Sequence, residues 1–330
     1  TRVDYVTQVN GALRAELAKF ESSVVYGQNI KAGSRLGGLA AGLNEVSGCK
    51  VMNTPNVENS LVGMGFGLML CGTPSMYAMK QQDFVLLGVD QLVNTWNALR
   101  SRGPFVPFVM AMIVVDSGWE GPQSSFNNTS GLASLARIPA YLPTGASEIP
   151  LAVAGAFQGG PAILALSQRM FKKEPIIAGS DVAVTSTEAY MVYAPRPDAS
   201  RSPQLVILCS NFSLDSAWVA RESAIKRGYG VTVVNYFAHT EKADENLIGI
   251  CLTADAVVSI DDSKSGLGIA IKIAAEVQSR LPQLRFRSIS RQDATDWAIP
   301  SEDLFRIDND RIADLIPLQT AKVLNREIDS

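Results

Sequence analysis

One acidic side chain, Glu58, stands alone in the apolar stretch Asn53–Gly72, NTPNVENSLVGMGFGLMLCG. Pro55 and Asn56 are typical of a helix start, because proline fits the first turn and asparagine caps it. From Ser60 onward the residues are apolar on every side, which predicts a helix that is buried all round. Its three glycines indicate that another backbone or a ligand approaches the helix closely.

The sequence leaves two interpretations of Glu58 open. The first is an ordinary carboxylate in a first helical turn, stabilised there by the helix dipole. The second is a buried carboxyl group that exchanges a proton with a ligand. The glycines do not form a dinucleotide-binding fingerprint, since G-x-G-x-x-G from Gly63 would need a glycine where Leu68 stands.

The composition excludes several classes of function. With 330 residues, of which 47% are hydrophobic and 18% charged, the chain is long enough for two well-buried domains. A formal net charge of −3 gives no electrostatic case for nucleic acid. No apolar run is long enough to predict a membrane span. The start of the chain has no signal-peptide core, and the four cysteines are scattered as in reduced proteins, so we expect a cytoplasmic protein.

The single histidine, His239, limits the possible catalytic chemistry. One histidine excludes a histidine-rich metal site. A Ser-His-Asp or Cys-His nucleophile would have to use this residue. Because His239 lies outside any motif, a structural or surface role is the favoured interpretation.

Strand and helix patterns alternate along the chain, which predicts an α/β fold with a doubly wound, mostly parallel sheet. The apolar run Val106–Val115 is typical of a strand covered on both faces. A loop rich in Gly, Asn and Ser follows it and contains Gln123 and Ser124. Because loops at the carboxyl ends of parallel strands carry ligand chemistry, this loop is a candidate site, with a plain surface loop as the alternative.

The segment Tyr193–Pro203, YAPRPDASRSP, is the best linker in the chain because it is rich in proline and charge. It predicts a first domain over 1–195 and a second, smaller α/β domain over 196–330. In the second domain, the glycine turn Asp261–Gly268 opens a helix. Phosphate could bind at such a helix start, but the chain lacks G-x-x-x-x-G-K-[ST], so this signal is weak.

Three segments in this order resemble a known family: NTPNVENSLVGMGFGLMLCGTPSM, then GVDQLVN from Gly88, then VVSIDDSKSGLGIAIKIAAEV from Val257. They resemble the β subunit of the first component of the pyruvate and branched-chain 2-oxoacid dehydrogenases. They are also similar to the C-terminal half of transketolase. The resemblance implies that residues 1–195 bind the pyrimidine of thiamine diphosphate and that residues 196–330 form a transketolase-type C-terminal domain.

The resemblance also implies site residues. Glu58 matches the catalytic glutamate that hydrogen-bonds to the pyrimidine ring nitrogen and activates the coenzyme. Phe84 matches the aromatic residue that stacks on the pyrimidine, with Leu86 as an alternative and an ordinary core role for Phe84 equally open. Gln28 stands in the family's Gly-Glu-Asp segment, here Gly-Gln-Asn, and is a cofactor-binding candidate.

An absent motif implies a partner. Family members bind the diphosphate and Mg²⁺ through Gly-Asp-Gly and a later asparagine. This chain contains no Gly-Asp-Gly, so no metal ligand is expected in it. We expect an α subunit that carries the diphosphate and Mg²⁺ site, in an α₂β₂ heterotetramer.

Two departures from the family bear on the substrate. The loop position that normally holds a histidine reads EGPQSSFNN, with Gln123 and Ser124 as the remaining candidates. The Ser-Arg-Gln with which transketolases grip a sugar phosphate appears as Ser-Gln-Arg, ending at Arg169. The expected function is therefore that of a β subunit in a two-chain enzyme that cleaves the carbon–carbon bond next to a 2-oxo group. The alternatives are a split transketolase, an acyloin-forming carboligase subunit and a non-catalytic subunit.

Overall fold

The computed structural model describes residues 3–116, 124, 126–196, 203–240, 242–264 and 268–290. These residues form two compact units, the first ending at Pro175 and the second beginning at Ile176. Each unit is built on its own six-stranded sheet. None of the helices in these ranges combines the length and the apolar character needed to cross a membrane.

The first unit contains a wholly parallel sheet in the strand order β2-β1-β3-β4-β6-β5. Its strands are β1 (Ser23–Gly27), β2 (Cys49–Asn53), β3 (Ser75–Met79), β4 (Pro107–Val114), β5 (Ala140–Tyr141) and β6 (Gly160–Ser167). Its helices are α1 (Tyr5–Leu17), α2 (Glu58–Leu70), α3 (Trp96–Leu99), α4 (Thr129–Ala136) and α5 (Glu148–Ala156).

Strand β4 lies inside the sheet between β3 and β6, and every one of its residues is buried. This confirms the prediction from the apolar run, because a parallel strand with helices on both faces needs no polar side. The residues Val6, Val9, Leu13, Leu17 and Phe20 stand at helical spacing in the sequence, which predicts an amphipathic helix. Helix α1 buries the first four of them, whereas Phe20 lies beyond its end and is half-buried. The predicted α/β fold with mostly parallel sheets is therefore confirmed.

Helix α2 differs from its prediction in two respects. It begins at Glu58 after Val57, and no side chain caps it, so Asn56 is not the N-cap. The helix is also not buried all round, because Gly67 and Leu70 are exposed on one side. The sequence could not reveal this, since a uniformly apolar helix carries no mark of the side that the rest of the fold leaves uncovered.

The segment after β3 is another departure. The spacing of the apolar residues from Leu86 to Leu99 in the sequence predicts one long amphipathic helix over 84–101. The structure instead has a tight helical segment at Gln82–Gly88, a wide turn at Gln91–Thr95, then α3 and a last tight turn at Arg100–Arg102. Gly88 permits the first piece to pack against α2, since an added Cβ would lie 3.5 Å from the Glu58 carbonyl oxygen and would collide with Val62.

The second unit contains a mixed sheet in the order β12-β11-β9-β10-β8-β7, in which β9 to β12 are parallel and β7 and β8 antiparallel to their neighbours. Its strands are β7 (Val182–Ser186), β8 (Tyr190–Pro195), β9 (Gln204–Ser210), β10 (Gly230–Tyr236), β11 (Ala256–Asp261) and β12 (Arg285–Ser290). Its helices are α6 (Leu214–Lys226), α7 (Glu245–Leu252) and α8 (Ile269–Arg280).

The division between the units differs from the one expected at residue 195. Strands β7 and β8 form a hairpin, and β8 pairs with β10, so both belong to the second sheet. The proline-rich composition around Tyr193 therefore lies partly within a sheet strand. The remaining linker residues 197–202 lie outside the described residues, as do 265–267 of the glycine turn and Gln123 of the loop after β4.

Candidate functional site

Glu58 is the first residue of α2 and only 6% of its surface is exposed. Gln28, in the loop after β1, donates a hydrogen bond from Nε2 to Oε1 of Glu58 at 3.3 Å. The structure therefore brings together two of the residues that the sequence predicted for a common site. Within the described part of the chain, Oε2 of Glu58 has no hydrogen-bond partner. One oxygen of this largely buried carboxyl group, at the positive end of a helix, is thus left able to accept a hydrogen bond.

The position of Gln28 depends on two features of its loop. The backbone of Gly27 passes so close to β3 that an added Cβ would collide with the carbonyl oxygen of Ala78. After Gln28, the side chain of Asn53 accepts hydrogen bonds through Oδ1 from the backbone amides of Ile30 and Lys31, at 3.0 and 2.9 Å. The carboxyl ends of β1 and β2 are joined in this way, and the loop is held against the start of α2.

Two stacked tyrosines line the adjoining strands. Tyr26 of β1 and Tyr77 of β3 have ring centroids 5.2 Å apart and nearly parallel planes. Tyr26 donates its hydroxyl to the carbonyl oxygen of Leu61 in α2 at 2.9 Å. Burial, and secondarily the charge of Glu58, raise the pKa of Tyr77, and burial raises that of Tyr26. Both phenols therefore stay neutral and form a largely dry wall beside the carboxyl group.

The topology explains why these groups meet. Strand β1 lies between β2 and β3, so the connections leave its edge in opposite directions. Such a switch point opens a crevice at the carboxyl ends of the strands, where α/β proteins bind ligands. Gln28 follows β1 at this edge, while Phe84 lies half-buried in the tight helical segment after β3 that packs on α2.

The loop after β4 contributes less to the described site. Ser124 is half-buried in a bend of the chain. Its side chain takes no part in the hydrogen bond between Gln28 and Glu58. Gln123 lies outside the described residues. Among the described residues, no three His, Cys, Asp or Glu side chains gather into a group that could hold a metal ion.

Sequence reasoning missed two polar clusters at the same edge of the sheet. Asp116, directly after β4, is fully buried, accepts a hydrogen bond from Ser167 Oγ at 2.6 Å and pairs with Arg169 Nε at 3.5 Å. Gln82 and Asp83, in the segment that follows β3, bind the segment before α4 through their side chains. The available signal was a polar residue immediately after an apolar strand, which marks the ligand-binding edge of a parallel sheet.

This chain is similar to known proteins in both sequence and fold. No family model matches the chain. The pyruvate dehydrogenase E1 component subunit beta of Staphylococcus epidermidis is 21% identical over 304 residues, covering 89% of this chain and 90% of that protein. The 2-oxoisovalerate dehydrogenase subunit beta of Bacillus subtilis is 29% identical over 104 residues, which cover 30% of this chain.

Among solved structures, one described as "Split gene transketolase, inactive beta4 tetramer" superposes with a TM-score of 0.66 at 14% identity, covering 98% of this chain and 99% of that one. Transketolase of Campylobacter jejuni superposes with a TM-score of 0.62 at 13% identity, covering 89% of this chain and 43% of that one. The chain is thus similar in sequence to 2-oxoacid dehydrogenase β subunits and has the transketolase-like fold.

In this chain, the crevice at the β1–β3 switch point combines one carboxyl group, one amide that orients it and a neutral tyrosine wall. Such a set can hold a flat heterocycle and exchange one proton with it. The sequence contains no phosphate-binding loop of the Walker type. The arrangement suits acid–base chemistry on a bound ring.

Proposed function

We propose that this chain is the pyrimidine-binding β subunit of a two-chain thiamine-diphosphate enzyme that cleaves the bond next to the 2-oxo group of a 2-oxoacid. The observation that carries the proposal is the buried carboxyl group of Glu58, with Oε1 held by Gln28 and Oε2 free among the described residues. A ring nitrogen that carries or shares a proton is the natural partner of that free oxygen.

The residues present fit the pyrimidine half of the coenzyme. Glu58 would hold the proton at Oε2, and Gln28 would keep the carboxyl plane in the required orientation. Tyr26 and Tyr77 exclude water from one side, which strengthens the hydrogen bond of the carboxyl group. Phe84 would pack against a face of the ring. When bound, thiamine diphosphate supplies the carbanion chemistry that the side chains cannot supply.

The diphosphate half must come from elsewhere. The sequence has no Gly-Asp-Gly, and the described residues provide no cluster of acidic ligands for Mg²⁺. We therefore propose an α-type partner that carries the diphosphate and Mg²⁺ site, in an α₂β₂ assembly. The superposed split-gene transketolase, whose β₄ tetramer is described as inactive, supports the view that a β-type chain alone does not turn over.

The surroundings of Arg169 bear on the class of substrate. Its side chain is only 4% exposed and is paired with Asp116, so it is already engaged by a buried carboxylate. A guanidinium held in this way is poorly placed to bind the phosphate of a sugar substrate. This supports a 2-oxoacid rather than a phosphorylated ketose as the donor. A split transketolase remains the second candidate, because the split-gene structure matches nearly the whole chain.

Reconstitution tests the proposal. The chain is combined with the product of a neighbouring reading frame that contains Gly-Asp-Gly, with thiamine diphosphate and Mg²⁺. Pyruvate, 2-oxoisovalerate and a ketose 5-phosphate are then supplied as donors, with ferricyanide or an aldehyde as acceptor. We expect turnover of a 2-oxoacid only when both chains are present. Full turnover and coenzyme affinity in the isolated monomeric chain would overturn the proposal, and turnover of the ketose phosphate alone would favour the second candidate.

A further inference from the structure

Gln82 and Asp83, in the segment that follows β3, are tied by their side chains to the residues at the start of α4 and just before it. Gln82 is fully buried and uses both ends of its amide. Its Nε2 donates to Thr129 Oγ1 at 2.7 Å, and its Oε1 accepts from the backbone amide of Asn128 at 2.9 Å. These groups lie 46 and 47 residues apart in sequence.

Asp83 adds a second connection to the same segment. Both of its carboxylate oxygens accept from the backbone amide of Phe126, at 3.2 and 3.1 Å. Charged acceptors form stronger hydrogen bonds than neutral ones. Gln82 and Asp83 therefore fix the backbone at both ends of the short segment Phe126–Thr129, which we call the anchored segment.

The anchored segment makes contacts on its other side as well. Asn128 caps α4 by accepting a hydrogen bond through Oδ1 from the amide of Gly131 at 3.1 Å. Asn127 and Thr129 are fully buried. Ser124, which the sequence predicted as a residue of the substrate loop, lies two residues before this segment. Phe84, the predicted stacking residue, directly follows Asp83. The same side chains therefore link the place of Ser124 to that of Phe84.

We propose that Gln82 and Asp83 are positioning residues, an inference that rests on the proposed function. They hold the substrate side of the site, around Ser124, in a fixed position relative to the coenzyme side, around Phe84 and Glu58. They do this through the anchored segment and do not themselves bind substrate. Loss of the hydrogen bonds from Gln82 and Asp83 leaves the carboxyl group of Glu58 in place but shifts the substrate side. Substrate recognition is therefore weakened while coenzyme binding persists. A misplacement of this kind lowers catalytic efficiency without removing any reacting group.

The anchor is tested first in the full chain without partner or coenzyme. Hydrogen exchange is followed in peptides that span residues 124–131, in the wild type and in Gln82→Met, which keeps the side-chain length but removes both polar atoms. Removal of one or two hydrogen bonds should accelerate exchange there by roughly fivefold to tenfold. The matched control is Thr95→Val, because Thr95 Oγ1 donates to Gln91 Oε1 at the same distance of 2.7 Å without reaching the anchored segment. Unchanged exchange in Gln82→Met would overturn the anchor.

The kinetic test uses the reconstituted complex with pyruvate or 2-oxoisovalerate as the substrate. Thr129→Val removes the hydroxyl that Gln82 binds, whereas Thr129→Ser keeps it. We expect Thr129→Val to lower kcat/KM by roughly fivefold, chiefly through KM, with Thr129→Ser close to the wild type and the Kd of thiamine diphosphate changed less than about twofold. The double variant Gln82→Met/Thr129→Val should lose no more than Gln82→Met alone, since Gln82→Met already removes the hydrogen bond to Thr129.

The possible failures are distinguishable. An equal loss of coenzyme affinity, an equal loss in Thr95→Val, or additive losses in the double variant would each overturn the positioning role. Absence of turnover in the wild-type complex would overturn the proposed function and, with it, the kinetic part of this inference. The exchange measurement would still decide whether Gln82 anchors the segment.

Discussion

The side chain of Gln28 donates a hydrogen bond to Glu58, and this contact joins the end of β1 to the first turn of α2 across 30 residues of sequence. It fixes one oxygen of a buried carboxyl group and leaves the other without a partner among the described residues. The contact is weak by its length of 3.3 Å, so its value lies in orientation more than in stability.

Replacement of Glu58 tests whether this carboxyl group exchanges a proton. In the reconstituted complex, Glu58→Gln and Glu58→Ala should lower kcat by about 10²-fold to 10⁴-fold, the usual contribution of a positioned acid–base group. Glu45→Gln serves as the control, because Glu45 is an exposed carboxylate whose partner is Arg14 on the surface. A scaffold subunit would retain its activity in all three variants, and that result would contradict the proposal.

The glycines of α2 should respond in opposite directions to alanine. In Gly65→Ala, the new methyl group would collide with the ring of Phe108, which is fully buried. Overpacking of this kind costs about 1–3 kcal/mol. In Gly67→Ala, nothing lies within 4 Å, so the better helix propensity of alanine should stabilise the isolated chain by up to about 1 kcal/mol. Denaturant midpoints of the two variants test this, and a loss of stability in Gly67→Ala would show that its surroundings are crowded.

The buried pair of Asp116 and Arg169 should be sensitive to loss of its acidic member. Asp116→Ala leaves the Arg169 guanidinium buried without its carboxylate and Ser167 Oγ without its acceptor. Breaking a buried pair in this way typically costs about 3–5 kcal/mol. Thermal unfolding measures the loss, and Asp90→Ala, at an exposed site, is the control. If both variants melted alike, the pair would have no role in holding the carboxyl ends of β4 and β6.

The buried carboxyl group of Asp261 should make the free energy of unfolding depend on pH. It is fully buried at the end of β11, and burial raises its pKa to about 6 despite hydrogen bonds from Ser210 Oγ and the amides of Ser263 and Ala270. Between about pH 4 and pH 6 the folded chain therefore keeps a proton that the unfolded chain has released. The free energy of unfolding should fall by about 2–3 kcal/mol as the pH rises through this window.

The matching variant is Asp261→Asn, which keeps an oxygen acceptor but cannot titrate. Denaturant unfolding at several pH values from 4 to 7 should show a flatter dependence in this variant than in the wild type. Asp90→Asn, at an exposed carboxylate, should leave the slope unchanged. A slope in Asp261→Asn equal to that of the wild type would contradict the prediction.

The sequence by itself determined those features that depend on neighbouring residues. The continuous apolar run of β4 predicted a strand buried on both faces, and the spacing in α1 predicted its buried side. Each of these depends on local periodicity, which a short segment encodes completely.

The tertiary structure decided what the residues meet. Gln28 reaches Glu58, Arg169 reaches Asp116, and Gln82 reaches Thr129 only because the strand order brings the carboxyl ends of β1, β3, β4 and β6 to one edge. Likewise, the exposed side of α2 and the pairing of β8 with β10 follow from how the elements pack. Strand order and packing are set by the free energy of the whole fold, so no local pattern in the sequence records them.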